Sequence, residues 1–305
     1  MRHCLFIFLD GVGLGPPGEA NPFDARWPAL QTLSGGARWT SEAPTRATSG
    51  HVFRPIDATL GVEGLPQSGT GQATLFTGVN CAQLVGRHFG PFPHSKTRPV
   101  LARRNVFHAV QEAVATEGAP VAFANAYPPR FFDIVQKRDR WTVTTRCCLE
   151  ADVHIRGIDQ LTAGAALTAD LTGAGWEKLG HAVPPITEED AGRRLVRIAQ
   201  QHAFTLFEYF LTDKAGHGRL DATPATIVQT IDQFLGGVLE ALDPRRDLLL
   251  ITRDHGTRED TTRTTHTRHR VPLVAYGAGA THFASLDAIS DVTPAIARAF
   301  SGASS

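Results

Sequence analysis

Short apolar runs, each cut off by a polar or glycine-rich turn, punctuate the chain: Leu5–Leu9, Val121–Ala124, Leu206–Leu211, Leu248–Thr252 and Val271–Tyr276. Runs this short and this uniformly apolar predict strands buried on both faces, as in a parallel sheet. Between them the apolar positions recur at helical spacing. Ile227, Val228, Ile231, Phe234, Leu235, Val238, Leu239 and Leu242 form one face of a helix. Thr223-Pro224 opens it with a cap and a proline in the first turn. Thr187 with Asp190 predicts a capping box and a helix to about Gln201. Thr293-Pro294 predicts a last short helix by the same logic. Strands alternating with helices predict an α/β fold built on a doubly wound, mostly parallel sheet.

Two stretches break the pattern. Residues 16–66 are rich in Gly, Pro, Ser and Thr and predict long loops over one end of the sheet. Residues 127–185 hold β-like segments, Trp141–Thr145 and Val153–Ile155, followed by a Gly/Ala/Thr-rich stretch and Pro184-Pro185. They predict a small inserted cap, leaving residues 1–126 and 186–305 as the core domain.

Composition narrows the class. The 305 residues are 42% hydrophobic and 20% charged, which excludes a disordered, collagen-like or coiled-coil chain. Thirty Lys and Arg balance thirty Asp and Glu. No overall field draws the protein to nucleic acid or an acidic membrane, and neither is expected as a partner. Four cysteines (Cys4, Cys81, Cys147, Cys148), two of them adjacent, make no disulfide framework and predict a cytoplasmic setting. The apolar run ending at Leu9 is too short for a signal-peptide core, and no stretch reaches membrane-spanning length.

Candidate chemistry lies where strands end, because open α/β sheets bind ligands beyond the carboxyl ends of their strands. Asp10 ends the first predicted strand, Asp213 the third, and Asp254-His255 follow the fourth. Asp213 and His217 stand four apart, so a helical turn there aims both side chains the same way. His266 precedes the final strand and adds a third imidazole, whereas His269 reads as an ordinary surface or core histidine. Three carboxylates and three imidazoles are enough for two metal ions. The segment Leu65-Pro-Gln-Ser-Gly-Thr-Gly-Gln-Ala-Thr-Leu-Phe-Thr-Gly78 then brings Ser68 through glycines into a helix-compatible run. A hydroxyl at a helix N-terminus meets free N–H groups and the positive end of the dipole, which favours an alkoxide or a bound phosphate. The simpler role for Ser68 is that of an N-cap.

The segments Phe6-Ile-Phe-Leu-Asp-Gly-Val-Gly13, Gln67-Ser-Gly-Thr-Gly71, Thr212-Asp-Lys-Ala-Gly-His217, Thr252-Arg-Asp-His-Gly256 and His266-Thr-Arg-His-Arg-Val-Pro272 occur in one order along most of the chain. As an ordered set they resemble the alkaline phosphatase superfamily, and most closely its branch of cofactor-independent phosphoglycerate mutase and phosphopentomutase. The resemblance implies an alkaline phosphatase-like core and phosphoryl transfer on a small phosphorylated substrate. It implies one metal held by Asp213, His217 and His266 and a second held by Asp10, Asp254 and His255. Ser68 takes the nucleophile's position and also touches metal, with Thr70 as the fallback. Oxygen and nitrogen donors without sulfur suit Mn²⁺ or Zn²⁺.

The mutases of this branch carry large inserted domains that keep water from the phosphoenzyme. Here the predicted cap is about sixty residues, which favours hydrolysis of phosphomonoesters over isomerisation. Arg87, His88 and Arg130 are the basic candidates for gripping a substrate phosphate. Two other readings are weaker. Gly11-Val-Gly-Leu-Gly15 invites a dinucleotide site, but Pro16-Pro17 stand where a helix has to open. Gln67-Ser-Gly-Thr-Gly-Gln72 lacks the Pro/Ala and Arg of the sulfatase pattern. A non-catalytic metal- or phosphate-binding protein of the same fold is the alternative from another class.

Overall fold

The apolar run at the N-terminus forms β1 (His3–Leu9), and its side chains divide between two cores. Phe6 and Phe8 enter one; Leu5, Ile7 and Leu9 enter the other, as the two-residue period of a strand requires. The computed structural model describes residues 1–114, 120–211, 222–257 and 259–302. In it, β1 lies in a seven-stranded sheet with β2 (Arg46–Thr48), β3 (His51–Ile56), β4 (Val121–Phe123), β5 (Phe204–Tyr209), β6 (Asp247–Thr252) and β7 (Val271–Gly277). The order across the sheet is β2-β3-β7-β6-β1-β5-β4.

The strands β4, β5, β1 and β6 run parallel, as their uniform apolarity predicts. β7 does not follow that expectation and lies antiparallel to β6. Residues 253–270 join the two without a crossover helix among the described residues, and a parallel pair needs such a crossover. The stretch 16–66 also departs from the expected loops. It supplies β2 and β3, which extend the sheet antiparallel from β7. Arg54 and Pro55 hide this strand in the sequence; Pro55 is tolerated because it lies beyond the part of β3 that β2 covers.

In chain order the main helices are α1 (Pro28–Ser34), α2 (Ser68–Thr77), α3 (Val106–Ala113), α4 (Pro129–Arg138), α5 (Val143–Glu150), α6 (Glu188–Ala199), α7 (Pro224–Ala241) and α8 (Val292–Ser301). Helices α2, α3, α5 and α8 bury their apolar sides with Phe6 and Phe8. Helices α1, α6 and α7 cover the face of Leu5, Ile7 and Leu9. The predicted starts of α6 and α7 are found: the Thr187 hydroxyl accepts the Asp190 N–H and the Thr223 hydroxyl accepts the Thr226 N–H, each at 3.1 Å. α8 begins one residue before Thr293, whose hydroxyl donates to the Leu75 carbonyl at 2.7 Å instead of capping.

Within 127–185 the β-like segments are not strands. Trp141–Thr145 runs into α5, where the Thr142 hydroxyl accepts the Thr145 N–H. Val153–Ile155 forms no strand, and the neighbouring Arg156 makes a single bridge to Ala126. The β-branched Val and Thr residues of α5 mislead by propensity, while burial of Val143, Cys147 and Cys148 in the main core decides for helix. Farther along, Leu161, Ala166 and Trp176 pack with Ala126 in a small separate cluster. All four cysteines are buried free thiols. Among the described residues no helix is long and apolar enough to cross a membrane.

Candidate metal and nucleophile centre

Asp10 follows β1 directly and is buried, its N–H donating to the Tyr209 carbonyl of β5 at 2.9 Å. On the other side of β1, Asp254 and His255 follow β6 and are fully buried. Adjacent parallel strands thus bring the three side chains to one edge of the sheet. His255 Nε2 lies 3.5 Å from an Asp10 carboxylate oxygen and 3.6 Å from one of Asp254. A ligand atom from each of the three lies within 4.8 Å of the others.

Ser68 is the first residue of α2, and Gln67, not Ser68, occupies the cap position. The capping role is therefore excluded. Ser68 is half-buried, and its Oγ stands 3.0 Å from His255 Nε2. The glycines behind it let α2 come this close: a Cβ on Gly71 falls 2.9 Å from the Asp254 Cβ. His266 completes the group. Its ring stacks on that of His255, centroids 3.8 Å apart and planes within 15°. Its Nδ1 donates to the Pro66 carbonyl at 2.6 Å, which fixes the ring's orientation. That bond also ties the segment before the last strand to the loop that presents Ser68.

The donor set fits a divalent cation. Two carboxylates and an imidazole, each with a donor atom within 4.8 Å of the others, supply the oxygen and nitrogen ligands that divalent first-row ions take. Four-coordinate ions with bonds of about 2.1 Å set their ligand atoms roughly 3.4 Å apart, close to the 3.5 and 3.6 Å separations found here.

Other residues singled out from the sequence lie elsewhere. Asp213 and His217 are outside the described residues. Thr70 is fully buried and its hydroxyl serves the 87–94 loop, accepting the Phe89 N–H at 3.1 Å and reaching the Phe89 carbonyl at 3.3 Å. His88 hydrogen-bonds the Val62 carbonyl, and burial is the main cause of its lowered pKa. Arg87 is exposed, its guanidinium 5.9 Å from the Phe89 ring centre, and Arg130 is exposed at the start of α4.

Two groups escaped the sequence reading. Arg253 is a fully buried cation whose guanidinium donates to the Leu9 carbonyl at 2.5 Å, directly under the Asp10 turn. Glu259 is buried in the loop after β6 and pairs with His269, which had read as ordinary. Burial works against ionisation of Glu259, but hydrogen bonds from His269 and Thr267, with the charge of Arg253, hold its carboxyl below the usual range. The Glu259 hydrogen bond in turn raises the pKa of His269. An acid in the polar run Thr257–Thr262 carries no signal that would distinguish it from its neighbours.

A family model described as the Metalloenzyme superfamily matches residues 1–302. The phosphopentomutase of Shewanella loihica is 35% identical over 127 residues, 42% of this chain and 29% of that protein. The 2,3-bisphosphoglycerate-independent phosphoglycerate mutase of Thiobacillus denitrificans is 33% identical over 108 residues, 33% of this chain and 21% of that protein. The matched stretches thus span less than a third of either relative. The solved alkaline phosphatase from the Antarctic bacterium TAB5 superposes over 98% of this chain and 98% of its own, with a TM-score of 0.51 and 13% identity. That likeness is one of fold, and it makes the sheet and its helices alkaline phosphatase-like.

Proposed function

Because the chain belongs to the Metalloenzyme superfamily, we propose that it is a divalent-metal-dependent phosphoryl-transfer enzyme acting on a small phosphorylated molecule. The observation that carries this reading is the Ser68 hydroxyl, 3.0 Å from His255 Nε2 at the first turn of α2 and beside the buried Asp10 and Asp254. Asp10, Asp254 and His255 would hold one ion, and Asp213, His217 and His266 a second, with Mn²⁺ or Zn²⁺ as the suited metals. A divalent cation in such a site supplies positive charge that lowers the pKa of a nearby hydroxyl and offsets charge on the transferring phosphoryl group.

The chain's own residues do the rest. The positive end of the α2 dipole favours negative charge at Ser68 Oγ, the first residue of that helix. Oγ gives its proton to solvent and attacks phosphorus, the bond to the leaving alcohol oxygen breaks, and that oxygen takes a proton back from solvent as the alcohol departs. Water then cleaves the phosphoserine, releasing inorganic phosphate and restoring the hydroxyl. The half-buried position of Ser68 supports access of that water. Four free buried thiols support a cytoplasmic setting.

A second reading is phosphate transfer within the substrate. The names of the two curated relatives favour it, although each is matched over less than a third of its length. Supplying ribose 1-phosphate and 3-phosphoglycerate separately, and following inorganic phosphate and isomer together, decides between them. Phosphate release is expected to dominate; isomer forming much faster than phosphate would establish the mutase. Ser68→Ala is expected to lose both products while keeping its fold and metal content. An active Ser68→Ala enzyme would remove Ser68 from the chemistry.

A further inference from the structure

We propose that Glu259 is a positioning residue: one buried carboxylate that locks together the three segments bearing Asp10, Asp254-His255 and His266. The inference rests on the metal reading above and concerns how the site is held, not what it does.

Each oxygen of Glu259 is engaged twice. One accepts the N–H groups of Gly13 and Thr257, both at 2.8 Å. The other accepts the Thr267 hydroxyl and faces His269 Nδ1 at 3.1 Å. Gly13 is three residues past Asp10, Thr257 two past His255, and Thr267 one past His266. Every segment that presents a described candidate ligand, except α2 itself, is thereby tied to the same side chain.

The glycines on either side are cut to this carboxylate. A Cβ on Gly13 falls 2.2 Å from a Glu259 oxygen, and one on Gly256 falls 2.0 Å from it. Gly13 and Gly15 thus make room for Glu259, which accounts for these two glycines after β1 without a dinucleotide. With four donors converging on its two oxygens, Glu259 is occupied as an acceptor and is not itself a ligand. Glu259 bonds the segments and not the ligands themselves; losing a group that bonds a ligand directly weakens metal affinity by about 10–100-fold, which bounds the effect expected here.

Glu259→Gln tests the assignment with the whole chain. The amide oxygen can still accept from Gly13 and Thr257. The Thr267 hydroxyl and a neutral His269 can both accept from the amide nitrogen, so the shape is kept while the charge is lost. The measurements are Mn²⁺ affinity of chelator-stripped protein by titration calorimetry and the metal-free unfolding temperature. Glu259→Gln is expected to bind Mn²⁺ up to about 10-fold more weakly than the parent, the lower end of that range. Thr267→Ala, which removes one of the four contacts, is expected to fall between the two. A purely structural role lowers the metal-free unfolding temperature and leaves affinity alone. Folded Glu259→Gln with parental affinity would therefore overturn the proposal. If Glu259→Gln does not fold, Thr267→Ala decides: weakened binding supports the proposal, unchanged binding overturns it, and loss of folding in both variants assigns Glu259 to stability instead. Failure of the parent itself to bind Mn²⁺ would overturn the metal reading and this inference with it.

Discussion

His51 shows how far one buried side chain couples stability to pH. Its Nε2–H donates to the Leu33 carbonyl at 2.8 Å and its ring stands edge-on to Tyr276. Burial is the largest cause of its lowered pKa. The folded state therefore prefers the neutral ring. The stability it contributes is present above the unfolded value of about 6.5 and is lost as pH falls through the folded value below it. The unfolding temperature is expected to drop between neutral pH and pH 5, and less so in His51→Gln, whose amide can still donate to Leu33. Equal slopes in the two proteins would clear His51. Thr70→Val keeps the shape of Thr70 but strands the half-buried Phe89 N–H, and a loss of about 1 kcal/mol is expected in urea denaturation. Asp10, Asp254, His255 and His266 were legible as candidates because each stands where a predicted strand ends or begins. Glu259 was not, because its importance comes from burial and from joining Thr257 and Thr267 to Gly13, 246 residues away from it in the chain.

At the scale of elements, the contact between α6 and α7 is set by two glycines. A Cβ on Gly192 falls 2.2 Å from the Phe234 carbonyl oxygen, and one on Gly237 falls 2.0 Å from that of Glu189. Backbone stands on both sides of these contacts, so neither can yield by a side-chain rotation. Gly192→Ala and Gly237→Ala are expected to cost about 1–3 kcal/mol or more in chemical denaturation. Gly236, one residue away, faces open space, and Gly236→Ala is expected to stabilise α7 by about 0.5–1 kcal/mol. A similar cost at all three positions would contradict the close approach. The apolar faces of α6 and α7 were readable because their period is unambiguous. The helix α5 was not, since its Val and Thr residues favour strands and only its place in the core overrules them. The direction of β7 was equally hidden, because an apolar run looks the same whichever way it points.

For the molecule as a whole, a cation bound only by the folded state adds stability by mass action, about 2.7 kcal/mol at a hundredfold excess over Kd. Adding Mn²⁺ is expected to raise the unfolding temperature and a chelator to reverse it. A transition indifferent to both would argue against the site. The sheet order also has a consequence for synthesis. β1 is made first, yet it sits between β5 and β6, and the grouped side chains come from positions 10, 68, 254, 255 and 266. A chain still on the ribosome carries Asp10 and Ser68 with nothing to complete them. On the proposed ligand sets, the first ion waits until residue 255 has cleared the exit tunnel and the second until residue 266 has. On the same sets, a product cut short before residue 254 is expected to take up no metal, so metal uptake reports synthesis past the sixth strand.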